Sequence, residues 1–144
     1  MTREDFKKLR NFGYQEMLDH FKSKGFSTWG AKLQVARMKF SFMKKLQRFR
    51  SLIGRPVFYN CLTEGKHAKN SSHYRAEAAD IRIGGKGKIN WNNMLQCAVE
   101  AGMKGIGYYP NWNTPGLHLD DRKGVFKCWK RIKVGGKKVY RGLI

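Results

Sequence analysis

Apolar residues recur every three or four positions through the first third of the chain, where Phe6, Leu9, Met17, Leu18 and Phe21 predict one helix from Thr2 to about Lys22 despite Gly13. Thr2, followed by Glu4 and Asp5, supplies its start. "SKGF" breaks it at Gly25, and Ser27 then caps a second helix. In that helix Trp29, Leu33, Ala36, Phe40, Met43, Leu46 and Phe49 form one stripe, read as core, and Gly54 ends it before "RPV". Beyond this point the period changes. "PVFYNCL" reads as a strand, "TEGKHAKNSSH" as a polar loop, and "AADIRI" as a second strand running into the glycine turn "GGKGK". That turn lacks the G-x-x-x-x-G-K-[ST] spacing of a phosphate cradle. Asn90 caps a helix, "WNNMLQCAVEA", which Gly102 stops. "KGIGYYP" and "GLHLD" follow as strands joined by "NWNTPG", and the tail forms a hairpin turning at Gly135 and Gly136. Helices first, then mostly antiparallel strands, predict an α+β domain.

Composition bounds this picture. The 144 residues, 41% of them hydrophobic, suit one domain with its own core. No apolar run approaches the roughly 18 to 20 residues of a membrane span. The charged start "MTREDFKKLR" lacks the apolar segment of a secretory signal. The expectation is a protein made in the cytoplasm, with any export by another route. Cys61, Cys97 and Cys128 show no C-x-x-C and read as reduced, mostly buried thiols. The formal net charge of +20 is uneven. Residues 1–55 carry 14 Lys/Arg against 4 Asp/Glu and residues 122–144 carry 9 against none, while residues 56–121 carry 7 against 6. Such ends attract polyanions: nucleic acid, anionic lipid head groups or acidic cell-envelope polymers. Charge does not choose among them, but no nucleic-acid-binding motif is present, which places nucleic acid lower.

The scarce acids stand beside histidines. His73, Asp80 and His118 offer two imidazoles and a carboxylate, the kind of set that holds zinc with a fourth position open. Asp80 lies in an otherwise apolar strand, where a carboxylate is costly unless it meets a cation or several donors. His118 and Asp120, two apart on a strand, project to one face. Asp120 is therefore placed either to act on water at the metal or to orient a ligand from behind. His20 reads as a surface residue and His67 as a solvated loop histidine. Tyr108 and Tyr109 alternate, so one packs inward and the other lines a cleft.

The context of these residues is more specific than their spacing. "SSHYRAEAADI" resembles the S-x-H-x-x-G-x-A-x-D-I signature of the zinc D-Ala-D-Ala carboxypeptidase and L-alanyl-D-glutamate endopeptidase superfamily, whose fold is shared by the hedgehog signalling domain. "GIGYYP" followed by "GLHLD" resembles its closing segment, a Gly-x-Gly-x-Tyr strand before an F-x-H-x-D strand, and "LIGRPVFYN" is similar to its helix-to-strand connection. The resemblance covers roughly residues 40 to 130, flanked by a helical extension over 1–39 and a basic hairpin over 131–144. It implies a hedgehog-like α+β fold with N-terminal helices packed on a mostly antiparallel sheet. It also implies zinc on His73, Asp80 and His118, a substrate-holding Ser71, and hydrolysis of peptide bonds in peptidoglycan stem or cross-link peptides.

The departures from that pattern shape the rest. Ala76 replaces a usual glycine, and Pro115 stands where many relatives carry the acidic base, so Asp120 becomes the candidate base, with Asp121 and Glu77 behind it. "NCLTEGKH" lacks the arginine that grips a substrate carboxylate, which favours an endopeptidase over a carboxypeptidase unless Lys66 or Arg75 substitutes. Ser71, Arg75 and Tyr109 are the candidate substrate-binding residues. Small size and basic charge suit a bacteriophage endolysin, virion-associated or released by lysis. The competing expectations are a non-catalytic wall-binding or virion structural protein retaining the fold, and a basic nucleic-acid-binding protein.

Overall fold

The computed structural model describes residues 1–143. It is an α+β arrangement of helices α1 (Arg3–Lys7), α2 (Tyr14–Ser23), α3 (Thr28–Arg37), α4 (Phe40–Ile53) and α5 (Trp91–Glu100) with strands β1 (Val57–Cys61), β2 (Ala78–Ile83), β3 (Gly105–Tyr109), β4 (Gly116–Asp120), β5 (Lys127–Val134) and β6 (Lys137–Gly142). The strands form one sheet in the order β1-β2-β4-β3-β5-β6, antiparallel except where β3 pairs with β5. No helix among the described residues is long and apolar enough to cross a membrane.

Caps fix the helix starts where side-chain oxygens are available. Thr2 and Asp5 form a reciprocal capping box on α1, Ser27 accepts from the Gly30 N–H, and Asn90 accepts from the Asn93 N–H. Two of the predicted helices are each divided. The first breaks between α1 and α2, where Gly13 in extended backbone starts the second piece. The other breaks at Met38, whose φ of −58° and ψ of 133° leave the helical region although no glycine or proline stands there. The cause is tertiary: the next N–H, of Lys39, donates to the Ala76 carbonyl at 3.0 Å, and the Lys39 ammonium reaches Glu77 at 3.0 Å. The phase of the stripe also differs in α3, where Ala31 and Val35 are buried while Trp29 is 72% exposed and Leu33 and Ala36 face solvent.

One apolar cluster joins every layer, from Phe6, Phe12 and Phe21 through Phe42, Met43, Leu46 and Phe49 to Ile81, Ile106, Leu117 and Leu119. Each fully buried side chain of this size contributes about 1.5–3 kcal/mol, so α1 to α3 build the same core as the sheet. Residues on the inner sheet face, Ala79, Ile81, Ile106, Leu117 and Leu119, have no solvent exposure. The alternate positions, Asp80, His118, Asp120, Gly105 and Gly107, share the other face.

Candidate metal centre

The register of the two central strands brings the sequence-distant residues together. β2 and β4 pair antiparallel with Asp80 directly opposite His118, and β3 sets Gly107 against His118 and Gly105 against Asp120. Directly opposed residues share a face, so Asp80, His118 and Asp120 project into the same space. The two glycines clear that space. A Cβ on Gly105 would strike the Asp120 carboxylate, and one on Gly107 would come within 2.6 Å of the Trp129 indole and 2.7 Å of the Tyr109 ring.

His73 comes from a compact turn rather than a strand. Hydrogen bonds from the Tyr74 N–H to the Ser71 carbonyl (3.1 Å), the Ala76 N–H to the His73 carbonyl (3.1 Å) and the Glu77 N–H to the Ser72 carbonyl (3.2 Å) close it. Ala76 sits at φ 56°, the left-handed region in which a glycine is free of strain and an L side chain costs about 1–2 kcal/mol. Arg75 holds the turn in place: its Nε donates to Glu77 at 2.6 Å, and its terminal nitrogens donate to the Asn70 carbonyl and the Ser72 hydroxyl, both at 2.8 Å. Those commitments give Arg75 a structural task and leave no nitrogen of its guanidinium without an acceptor. The Ser71 hydroxyl lines the cleft and accepts from the His73 N–H at 3.3 Å.

Three acceptor atoms converge at the floor of this cleft. His73 Nε2, Asp80 Oδ1 and His118 Nδ1 form a triangle with edges of 3.3 Å (His73 to Asp80), 2.9 Å (Asp80 to His118) and 3.2 Å (His73 to His118). The far nitrogen of each ring is already committed as a donor. His73 Nδ1 donates to the Leu62 carbonyl, and His118 Nε2 donates to Asp120 Oδ2 at 2.7 Å. Each ring therefore turns a lone pair toward the other and toward a carboxylate, an arrangement that needs a cation. A tetrahedral zinc ion at about 2.0–2.1 Å from each ligand spaces them roughly 3.3 Å apart, which the triangle matches. The residues present thus fit such an ion.

Without a metal, a proton fills the need. Burial alone would depress the His118 imidazole, but its hydrogen bonds to Asp120 and Asp80 prevail and push it up to about 9. Burial would raise Asp80, yet the hydrogen bond from the His118 imidazolium holds its carboxyl well below the ordinary carboxylate range. Asp120 behaves likewise: against burial, the Arg122 guanidinium and His118 keep it ionised. It has no solvent exposure and is gripped by Arg122 Nε at 2.9 Å and a terminal nitrogen at 2.6 Å. Asp120 thus stands behind His118, on the ring edge away from the triangle, and fixes the direction of that ring. This position suits the second of the two roles its spacing allowed better than that of a base. Neither reserve candidate replaces it, since Glu77 is paired with Arg75 and Lys39, and Asp121 with Lys45 at 2.6 Å.

The triangle opens into a cleft of roughly 1250 Å³. Its walls are cationic and aromatic: Lys66, Lys69, Lys123 and Lys127 line it, while Asp80 and Asp120 are the only carboxylates to do so among the described residues. Of Tyr108 and Tyr109, Tyr109 faces the cleft. It stacks on Trp112 with centroids 4.6 Å apart and accepts from the Trp129 indole N–H at 3.0 Å, whereas Tyr108 stacks on Trp91. Burial, partly opposed by the Trp129 bond, pushes the Tyr109 phenol up to about 12. The Arg131 guanidinium lies 4.8 Å from the Tyr109 ring centre, and none of its nitrogens has a protein acceptor within the described residues.

Several contributors were not visible in the sequence. Trp129 and Arg131 reach the cleft because β5 lies parallel to β3, and Arg122 because it follows β4 and folds back onto Asp120; only the Asp-x-Arg spacing of Asp120 and Arg122 offered a local signal. His20 is not a surface residue: its side chain is 7% exposed and pairs with Glu64. His67 is half-buried and stacks on His73 with centroids 4.0 Å apart.

No family model matches the chain, and no curated protein or solved structure matches it.

Proposed function

We propose that the chain is a zinc-dependent peptidoglycan peptidase of the D-Ala-D-Ala carboxypeptidase and L-alanyl-D-glutamate endopeptidase type, acting as an endolysin. The observation that carries this reading is the convergence of three metal-ligating atoms, each imidazole oriented by an acceptor behind it, on the residues the family signature singles out. His73, Asp80 and His118 would hold the ion, which when bound supplies Lewis-acid polarisation of the scissile carbonyl and of water. The chain's own residues do the rest. Tyr109, protonated at neutral pH and already accepting from Trp129, finds no acceptor for its hydroxyl hydrogen among the described residues and can offer it to a substrate oxygen. Arg131 and the cleft lysines, Lys66 of "NCLTEGKH" among them, match the carboxylates of stem peptides, the role that Arg75 does not fill. Ser71, at the cleft rim, accepts from the His73 N–H and keeps its hydroxyl beside the space a substrate would enter.

A second reading is favoured by one observation. With Asp120 turned away, Asp80 is the remaining cleft carboxylate, and a carboxyl held so far down is a weak general base. A metal-holding protein that binds cell-wall peptides or anionic envelope polymers without turnover fits the same geometry. Digestion of purified peptidoglycan by metal-stripped and zinc-reconstituted protein, with products identified by mass spectrometry, separates the two. Zinc-dependent release of peptide fragments establishes hydrolysis and names the bond. Sedimentation with peptidoglycan but no fragments, from folded zinc-loaded protein, establishes the binding reading.

A further inference from the structure

A buried hydrogen-bonded pair outside the triangle connects the N-terminal helices to it. His20, on α2, places Nε2 at 2.5 Å from Glu64 Oε1, with the two side chains only 7% and 9% exposed. The other Glu64 oxygen accepts from the Leu62 N–H at 2.9 Å. The carbonyl of that same Leu62 accepts from His73 Nδ1. The Glu64 carbonyl in turn accepts from His67 Nε2 at 2.7 Å and from the Cys61 thiol at 3.0 Å, and His67 stacks on His73. From α3, Gln34 accepts from the neighbouring Thr63 hydroxyl at 2.7 Å. Residues 62–64 are thus tied to two helices on one side and to a metal-ligating ring on the other.

We infer that His20 and Glu64 are positioning residues of the metal centre: by fixing residues 62–64 they aim the Leu62 carbonyl at His73 and so set which nitrogen of that ring faces the metal. The physical reason lies in the imidazole. A carbonyl accepts and never donates, so a carbonyl held at Nδ1 puts the proton there and leaves the lone pair on Nε2. A strand holds its carbonyls through the ladder, but Leu62 lies just past the end of β1, where no partner strand fixes it. The carboxylate of Glu64 replaces that support, and His20 Nε2 gives its other oxygen a hydrogen-bond partner in a site too dry to leave it alone. The helical extension is on this account part of the site. His118 receives the equivalent service from Asp120 and Arg122, both in its own sheet neighbourhood; His73 receives it from Leu62 and Glu64, which are held in turn by His20 on α2, far earlier in the chain.

The inference rests on the metal reading above, and its test keeps the two apart. Zinc affinity is measured by competition with a chromophoric chelator, and the visible absorption of the cobalt-substituted protein reports ligand geometry. Wild type, His20→Gln, Glu64→Gln and Arg55→Ala are compared, each checked for folding by circular dichroism. Arg55 is the control because it ties the distant turn at Gly84, Gly87 and Lys88, so its loss weakens the fold without touching residues 62–64. Loss of about tenfold or more in zinc affinity and an altered cobalt spectrum are expected in both His20→Gln and Glu64→Gln, with Arg55→Ala unchanged in both. If His20→Gln does not fold, the isosteric Glu64→Gln decides alone. Affinities within twofold of wild type, or an equal loss in Arg55→Ala, overturn the positioning role while leaving the metal site standing. A wild type that binds neither zinc nor cobalt stoichiometrically overturns the metal reading itself.

Discussion

His118 has carboxylates at both ring nitrogens, and the metal-free protein answers by keeping it protonated up to about pH 9. Its folded pKa lies above the unfolded value of about 6.5, so this contribution to stability is fully present below pH 6.5 and is lost as pH rises through about 9. A metal ion must displace that proton. Apparent zinc affinity should therefore climb steadily from about pH 6.5 to 9 and level off beyond; chelator competition across that range checks it, and a flat profile would contradict the geometry. Asp120 offers a second residue-scale test. As an orienting group, Asp120→Asn should weaken zinc binding about 10- to 100-fold and recover any hydrolytic activity at saturating zinc. A general base would stay lost at every zinc concentration, so kcat measured against zinc decides between the roles.

Elements place these residues by register and by what they leave out. Asp80 meets His118 because two strands align at that position, and the glycines of β3 leave the sheet surface flat beneath them. Gly107→Ala should cost about 1–3 kcal/mol, since the new methyl has only the Trp129 and Tyr109 rings to displace, and thermal melts should show Tm lowered by several degrees. The β5–β6 hairpin contributes Arg131, held over Tyr109 with no acidic partner among the described residues. Arg131→Gln should raise KM for a carboxylate-bearing stem peptide about tenfold or more while zinc affinity stays unchanged. An equal effect from Lys133→Gln, nearer the hairpin tip, would reduce the role to general charge. Element boundaries were legible where local chemistry sets them: Thr2, Ser27, Asn90 and Gly102 all act where the sequence places them. The break at Met38 was not, because it follows from the Lys39 N–H pairing with the Ala76 carbonyl across the fold. The stripe through Trp29, Leu33 and Ala36 misled because helical period alone carries no information on which face a neighbour covers.

At the scale of the whole molecule, one core unites the N-terminal helices, the sheet and α5, so anything that binds the folded site stabilises all of it. Zinc at about 100 times its dissociation constant should add about 2.7 kcal/mol, a rise in Tm of roughly 5 to 11 °C that a chelator reverses. No shift would mean that the triangle holds no zinc. The sequence by itself determined the α+β class, the strands, the closing hairpin and the three candidate ligands, because period, turn chemistry and residue type are local properties. Only the tertiary structure decided that Asp120 faces Arg122 and the back of His118, that Arg75 is spent on its own turn, and that His20 lies buried against Glu64. A side chain's role there depends on which donors and acceptors reach it from distant strands and helices, and register, not residue type, sets that meeting.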